Sequence, residues 1–233
     1  MSEDAAPEPA IVARAITMRG PWGPVYGPLD LDVAAGGVTV LLCPPGSGRT
    51  ALLMTLAGRM RPASGSLSVF GRSRVRDIFA HAALAGIDEL DPVAESVTVR
   101  DLITEKLRWD ADWYRLIRRA GQDELVRVCG PVFGDLPLPP LSEYVEELTE
   151  LDGLLLRVAL ANTGRPPLLV VGSIEQVTDD RHRDLLVSRL VELGRAQTVV
   201  TAGVNPVPGR PVAQIEVENT TRSELADQQK GGA

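Results

Sequence analysis

The ten residues LLCPPGSGRT, positions 41–50, leave the chain around them little freedom. A continuous apolar run, residues 38–42, stops at a proline- and glycine-rich turn. Residues 50–60 then resume with helical spacing and no breaker before Gly58. Strand, tight loop and helix in this order predict a buried parallel strand feeding a helix. The turn also approximates G-x-x-x-x-G-K-[ST], where backbone N–H groups and the N-terminus of the following helix hold anionic oxygens. Two letters depart from it: Cys43 stands at the first glycine and Arg49 at the lysine. Pro44 and Pro45 lack donors, but Gly46 and Gly48 permit the curve. The expected phosphate contacts are Gly46, Ser47, Gly48, Arg49, Thr50 and Ala51, with the Thr50 hydroxyl toward Mg²⁺. Arg49 keeps the charge of a lysine but presents it as a planar fork. The bland alternative is a glycine-rich turn without a ligand. Cys43 reads better as a small packed residue than as a reactive thiol.

A chain of 233 residues accommodates one core with a smaller lobe. Hydrophobic residues at 44% and charged residues at 24% are ordinary for a globular protein. A net charge of -7 argues against nucleic acid as a partner, because phosphate-backbone affinity needs clustered cations. Lys106 and Lys230 are the only lysines, so none lies near the loop in sequence. Cys43 and Cys129 have neither metal-ligand spacing nor a disulfide framework, and a reduced, cytoplasmic setting is expected. The opening MSEDAAPEPA lacks the regions of a signal peptide. No apolar run is long enough to span a bilayer, so any membrane contact is expected through a partner.

Along the chain, residues 1–9 and 219–233 carry the composition of disordered termini. Residues 11–18 and 29–33 alternate as antiparallel strands would, around turn material in GPWGPVYGP. A short strand is expected at 66–70. Residues 98–128 read as amphipathic helix, followed by a proline-rich connection, PVFGDLPLPPLS. An apolar helix is expected at 151–161, strands at 168–171, 197–202 and 212–217, and a helix at 180–193. The pattern predicts an α/β fold with a parallel-sheet core and a helical insertion.

The surroundings of the loop resemble a known family. ALLMTLAGRMRPASGSLSVFG, residues 51–71, is similar to the segment after the Walker A loop of ATP-binding cassette (ABC) ATPases, where a helix ends in L-A-G and a P-x-S-G turn leads into a strand. RVALA (157–161) resembles the end of the signature helix, and PLLVV (167–171) the Walker B strand. The resemblance covers about residues 11–217. It implies a P-loop NTPase fold of the ABC type, with an N-terminal antiparallel β subdomain, a domain over 10–218 and a helical lobe over about 98–164. It further implies ATP and Mg²⁺ as cofactors, a transmembrane permease and a second ATP-binding subunit as partners, and a place at the inner face of the membrane through them. For the adenine ring the family uses an aromatic residue in the first strand–turn. Trp22 is the choice here, with Tyr26 the alternative; either also reads as packing.

The catalytic set of the family is incomplete. With Leu168 at the start of the Walker B strand and Asp179 at the D-loop aspartate, Gly172 takes the magnesium position and Ser173 the catalytic glutamate position. Glu175 falls two residues late. The signature is replaced by LTELD or ELDGL, without a glycine pair, and Glu150 and Asp152 would put negative charge near a phosphate. Thr149 and Asp152 also have the spacing of a helix cap. No histidine ends the strand TVVTAG; His81 and His182 receive no role. Asp88, Glu89 and Asp91 crowd the place of the Q-loop glutamine. Asp88 is a candidate replacement metal carboxylate, against a solvated acidic turn. Three readings follow: an ATP-binding subunit with weak or absent hydrolysis, an ATPase rewired through Asp88, Glu175 or Asp179, and a regulatory or scaffolding module without nucleotide.

Overall fold

A computed structural model describes residues 9–21, 23–43, 48–87, 97–114 and 116–217. Two long strands open the chain, β1 (Pro9–Gly20) and β2 (Gly23–Ala34). They alternate buried and exposed residues, as a sheet with one wet face requires. Both run further than the alternation predicts, because most of GPWGPVYGP pairs across the hairpin instead of looping. β3 (Val38–Leu42) leads to α1 (Arg49–Leu56), then β4 (Ser64–Val69), which pairs with β1. The result is a three-stranded antiparallel sheet in the order β2-β1-β4. α1 stops before residue 60 because Gly58 adopts a φ of 67° at its end.

α2 (Val75–His81) and β5 (Ala82–Ala85) follow. Sequence reading missed both: they are short, and ALA carries little periodicity. The amphipathic stretch after them is two helices, α3 (Val99–Asp110) and α4 (Gln122–Phe133). Thr98 and Asp101 cap the first reciprocally, and Glu124 bonds back to the Gly121 amide at 2.8 Å in the second. Pro131 belongs to α4 rather than to the connection after it. The remaining elements are α5 (Glu150–Ala161), β6 (Leu168–Ser173), α6 (Asp180–Gly194), β7 (Thr198–Gly203) and β8 (Ala213–Glu216).

Strands β5-β6-β7-β3-β8 form a second, parallel sheet. Its side chains divide by parity between two cores. Val38, Val40, Leu169, Val171 and Val199 pack with α4, α5 and α6. Leu41, Leu168, Val170, Val200 and Ala202 pack with α1 and the antiparallel sheet. Burial on both faces is why these strands read as unbroken apolar runs. Register sets Leu42 opposite Gly203 and Ser173 opposite Ala202. The carboxyl ends of β3, β6 and β7 therefore lie side by side, the edge where open α/β sheets bind ligands.

Candidate functional site

The site begins where β3 ends. The Cys43 amide donates to the Gly203 carbonyl at 2.8 Å, extending the β3–β7 ladder by one residue. Cys43 is 2% exposed. Burial pushes its thiol up to about 11, against the lowering influence of the Arg49 charge. It is a packed residue, as the sequence reading favoured.

Gly48 is the N-cap of α1, with φ 68° and no side-chain cap. A Cβ there would lie 2.3 Å from the Val25 carbonyl oxygen, so β2 presses on the loop and only glycine fits. The Leu52 amide makes the first intrahelical bond, to the Gly48 carbonyl at 2.9 Å. The amides of Arg49, Thr50 and Ala51 thus have no partner inside the helix. No acidic residue occupies the first turn. An uncapped helix start with an arginine as its first residue favours an anion. Gly46, Ser47, Trp22 and Asp88, also singled out from the sequence, lie outside the described residues, as do Glu89 and Asp91.

The guanidinium of Arg49 meets a partner the sequence register did not assign. Its Nη1 lies 3.6 Å from Oε2 of Glu175, and each side chain is 24% exposed. That nitrogen is buried and makes no hydrogen bond among the described residues. Glu175 sits in a single 3₁₀ turn, Ile174–Gln176, which swings its carboxylate back over Ser173. The Ser173 hydroxyl donates to Oε2. Oε1 accepts the Val204 amide at 2.6 Å and the Asn205 amide at 3.5 Å. Burial alone would raise the Glu175 pKa, but the Ser173 hydroxyl and the backbone amides outweigh it and hold the carboxylate below its ordinary range. One carboxylate therefore ties the start of α1, the end of β6 and the end of β7 together. Glu175 lies two residues past the glutamate position in register, and the 3₁₀ turn nevertheless brings its carboxylate beside Arg49.

Gly172, next to last in β6, has no room for a side chain. A Cβ built on it would stand 1.9 Å from the Gly86 carbonyl oxygen and 2.4 Å from Nε2 of Gln176. Gln176 itself donates to the Gly86 carbonyl at 2.8 Å, and the Thr201 hydroxyl donates to the Gly172 carbonyl at 2.6 Å. The backbone after β5 fills the volume that a side chain at 172 would need. Among the described residues no group of three or more His, Cys, Asp or Glu could hold a metal.

The start of α5 is organised differently. Thr149 caps it, accepting the Asp152 amide at 3.1 Å, and donates its hydroxyl to the Asp152 carboxylate at 2.8 Å. Glu150 accepts both the amide and the hydroxyl of Thr178 at 2.7 Å each. These two bonds hold the Glu150 carboxylate below its usual range. Asp179 caps α6 by accepting the His182 amide at 2.9 Å. Tyr26, the alternative adenine platform, is 1% exposed and donates to the Thr55 hydroxyl at 2.8 Å. It is a core residue, and no face of its ring is open to a base.

The chain is similar to known proteins. The ABC transporter family model matches residues 26–130. The cytochrome c biogenesis ATP-binding export protein CcmA of Cupriavidus pinatubonensis is 34% identical over 121 residues, which is 52% of this chain and 50% of that protein. The chain thus spans half the length of this relative. CcmA of Pseudomonas putida KT2440 is 30% identical over 168 residues, covering 68% of this chain and 71% of that one. Among solved structures, cbiO1 of Clostridium perfringens, part of the ABC transporter complex cbiONQ, superposes with a TM-score of 0.62 at 15% identity, covering 85% of this chain and 79% of that one.

Proposed function

Since the chain belongs to the ABC transporter ATP-binding family, we propose that it is an ATP-binding subunit whose own hydrolysis is weak or absent. The observation that carries this reading is that the Gly86 carbonyl occupies the place a side chain at position 172 would need. Phosphoryl transfer depends on positioned charge around Mg²⁺ and the attacking water. Position 172 has no room for a carboxylate, and Ser173 supplies none at the position where the family keeps its glutamate.

The residues fit the nucleotide better than the metal. Gly48, Arg49, Thr50 and Ala51 supply an uncapped helix start and a cation, and Gly46, Ser47 and Trp22 would complete the cradle. For Mg²⁺ the Thr50 hydroxyl and Asp88 are the assigned ligands, with phosphate oxygens and water filling the rest. When bound, the ion would neutralise phosphate charge.

A transmembrane permease and a second ATP-binding subunit are the partners this reading assigns, and the membrane is reached through the first. Among the described residues no helix is long and apolar enough to cross a membrane. Trp109, Trp113, Tyr114 and Leu116 are exposed in the helical lobe, about residues 98–164, and surface of that kind supports a protein partner there.

The rewired ATPase is a second reading, favoured by one observation: Glu175 places a carboxylate 3.6 Å from Arg49. Calorimetric titration with ATP, with and without Mg²⁺, separates the two. The first reading expects ATP binding indifferent to Mg²⁺ and no phosphate release. Mg²⁺-dependent binding with turnover that disappears in Glu175→Gln would replace it by the second. No binding up to millimolar ATP would sink both.

A further inference from the structure

We propose that Glu175 is an internal counter-anion for Arg49, which a nucleotide phosphate must displace before it can bind, and that this displacement sets the affinity of the site. The inference rests on the ATP-binding reading and adds its regulation.

Three observations carry it. The first is position: an oxygen of Glu175 lies 3.6 Å from Arg49, so the cation that begins α1 already has an anion beside it. The second is looseness. A separation of 3.6 Å is an ion pair without a hydrogen bond, and the buried Nη1 makes none with any described residue. A phosphate oxygen offers that nitrogen the short, charge-assisted bond it lacks. The third is that Glu175 does not depend on Arg49. The Ser173 hydroxyl and the Val204 and Asn205 amides continue to satisfy its oxygens when the guanidinium turns away. Breaking the pair therefore strands no buried charge on the Glu175 side, where a singly partnered carboxylate would resist. The arrangement is displaceable, and the apparent affinity falls by the fraction of molecules in which Arg49 is engaged. A neutral ligand gains nothing from displacing Glu175; a polyphosphate does.

The test is a double-mutant cycle of ATP affinities by calorimetry on the full chain: wild type, Glu175→Gln, Arg49→Ala and the pair. Glutamine keeps an acceptor for Ser173 and Val204 while removing the charge; Glu175→Ala replaces it if glutamine unfolds the chain. The expected result is ATP binding about tenfold tighter in Glu175→Gln, adenosine affinity unchanged, and no gain from the same change in the Arg49→Ala background. A gain that persists without Arg49 would mean simple repulsion of phosphate and overturns the displacement. Wild-type binding with no gain in Glu175→Gln overturns this inference and leaves the ATP-binding reading standing. Binding by Glu175→Gln alone upholds the inference and overturns ATP binding by the native chain. Binding by neither overturns both.

Discussion

The starts of α1 and α5 are built from similar parts and end in opposite states. Both are helix N-termini, with amides that carry partial positive charge. α1 has no capping side chain, no acid in its first turn and an arginine as its first residue. α5 has a threonine cap and two acids, Glu150 and Asp152, in its first turn. Every charge at α5 is already engaged: Asp152 by Thr149, Glu150 by Thr178. At α1 the arginine's Nη1 meets Glu175 at 3.6 Å and makes no hydrogen bond among the described residues. On the proposed reading the start of α1 is the half that would hold a nucleotide, while the start of α5 is tied by Glu150 to Thr178, just before α6.

Substitutions at the two starts can break that contrast. The largest effect is expected at the end of β6, where Gly172→Asp would introduce a carboxylate. With the Gly86 oxygen 1.9 Å from the Cβ position, the substitution should cost about 3 kcal/mol or more in urea unfolding. A variant of native stability that hydrolyses ATP with Mg²⁺ would show that the strand end is not sealed. Next, Arg49→Ala should weaken ATP binding by about 10-fold to 100-fold. Glu150→Gln should leave ATP affinity unchanged and only slightly lower the melting temperature. An equal loss of ATP affinity in both would erase the distinction.

Tyr26→Phe should cost about 1 kcal/mol, through its bond to Thr55, and leave ATP affinity as it was. The smallest effect is in the acid limb of stability. Glu175 and Glu150 both have folded pKa values below the ordinary glutamate value of 4.5. Each therefore contributes stability that is fully present above that value and is lost as pH falls through the lower folded one. Glu175→Gln and Glu150→Gln should each flatten the stability profile below pH 4.5, and a profile unchanged in both would remove this contribution.

The fold was legible because its strongest signals are local. The run at 38–42, the turn after it and the helix beyond are one contiguous stretch, and burial on both faces of the parallel sheet wrote itself as uninterrupted Val and Leu. α2 and β5 were not legible, being too short for a period to register. At the site, the cap formed by Thr149 and Asp152 could be read from spacing, since a cap is a contact between near neighbours. The partner of Arg49 could not: Glu175 is far away in sequence, and the 3₁₀ turn that aims it breaks the linear count. One clue was present. An arginine at the edge of a buried sheet needs a counter-charge, and Glu175 is the one acid within four residues after Ser173. The crowding behind Gly172 left no trace in sequence, because it depends on how closely the chain after β5 approaches.

That crowding fixes the order in which change can occur. A carboxylate cannot return to position 172 while the Gly86 carbonyl and the Gln176 side chain fill its volume. The neighbouring segment has to retreat first, and that retreat by itself would leave a hole between two strands and a buried carbonyl without its donor. Each step toward a carboxylate at position 172 is therefore unfavourable alone and tolerable only in company, so the packing of two backbones couples substitutions that the sequence lists as separate.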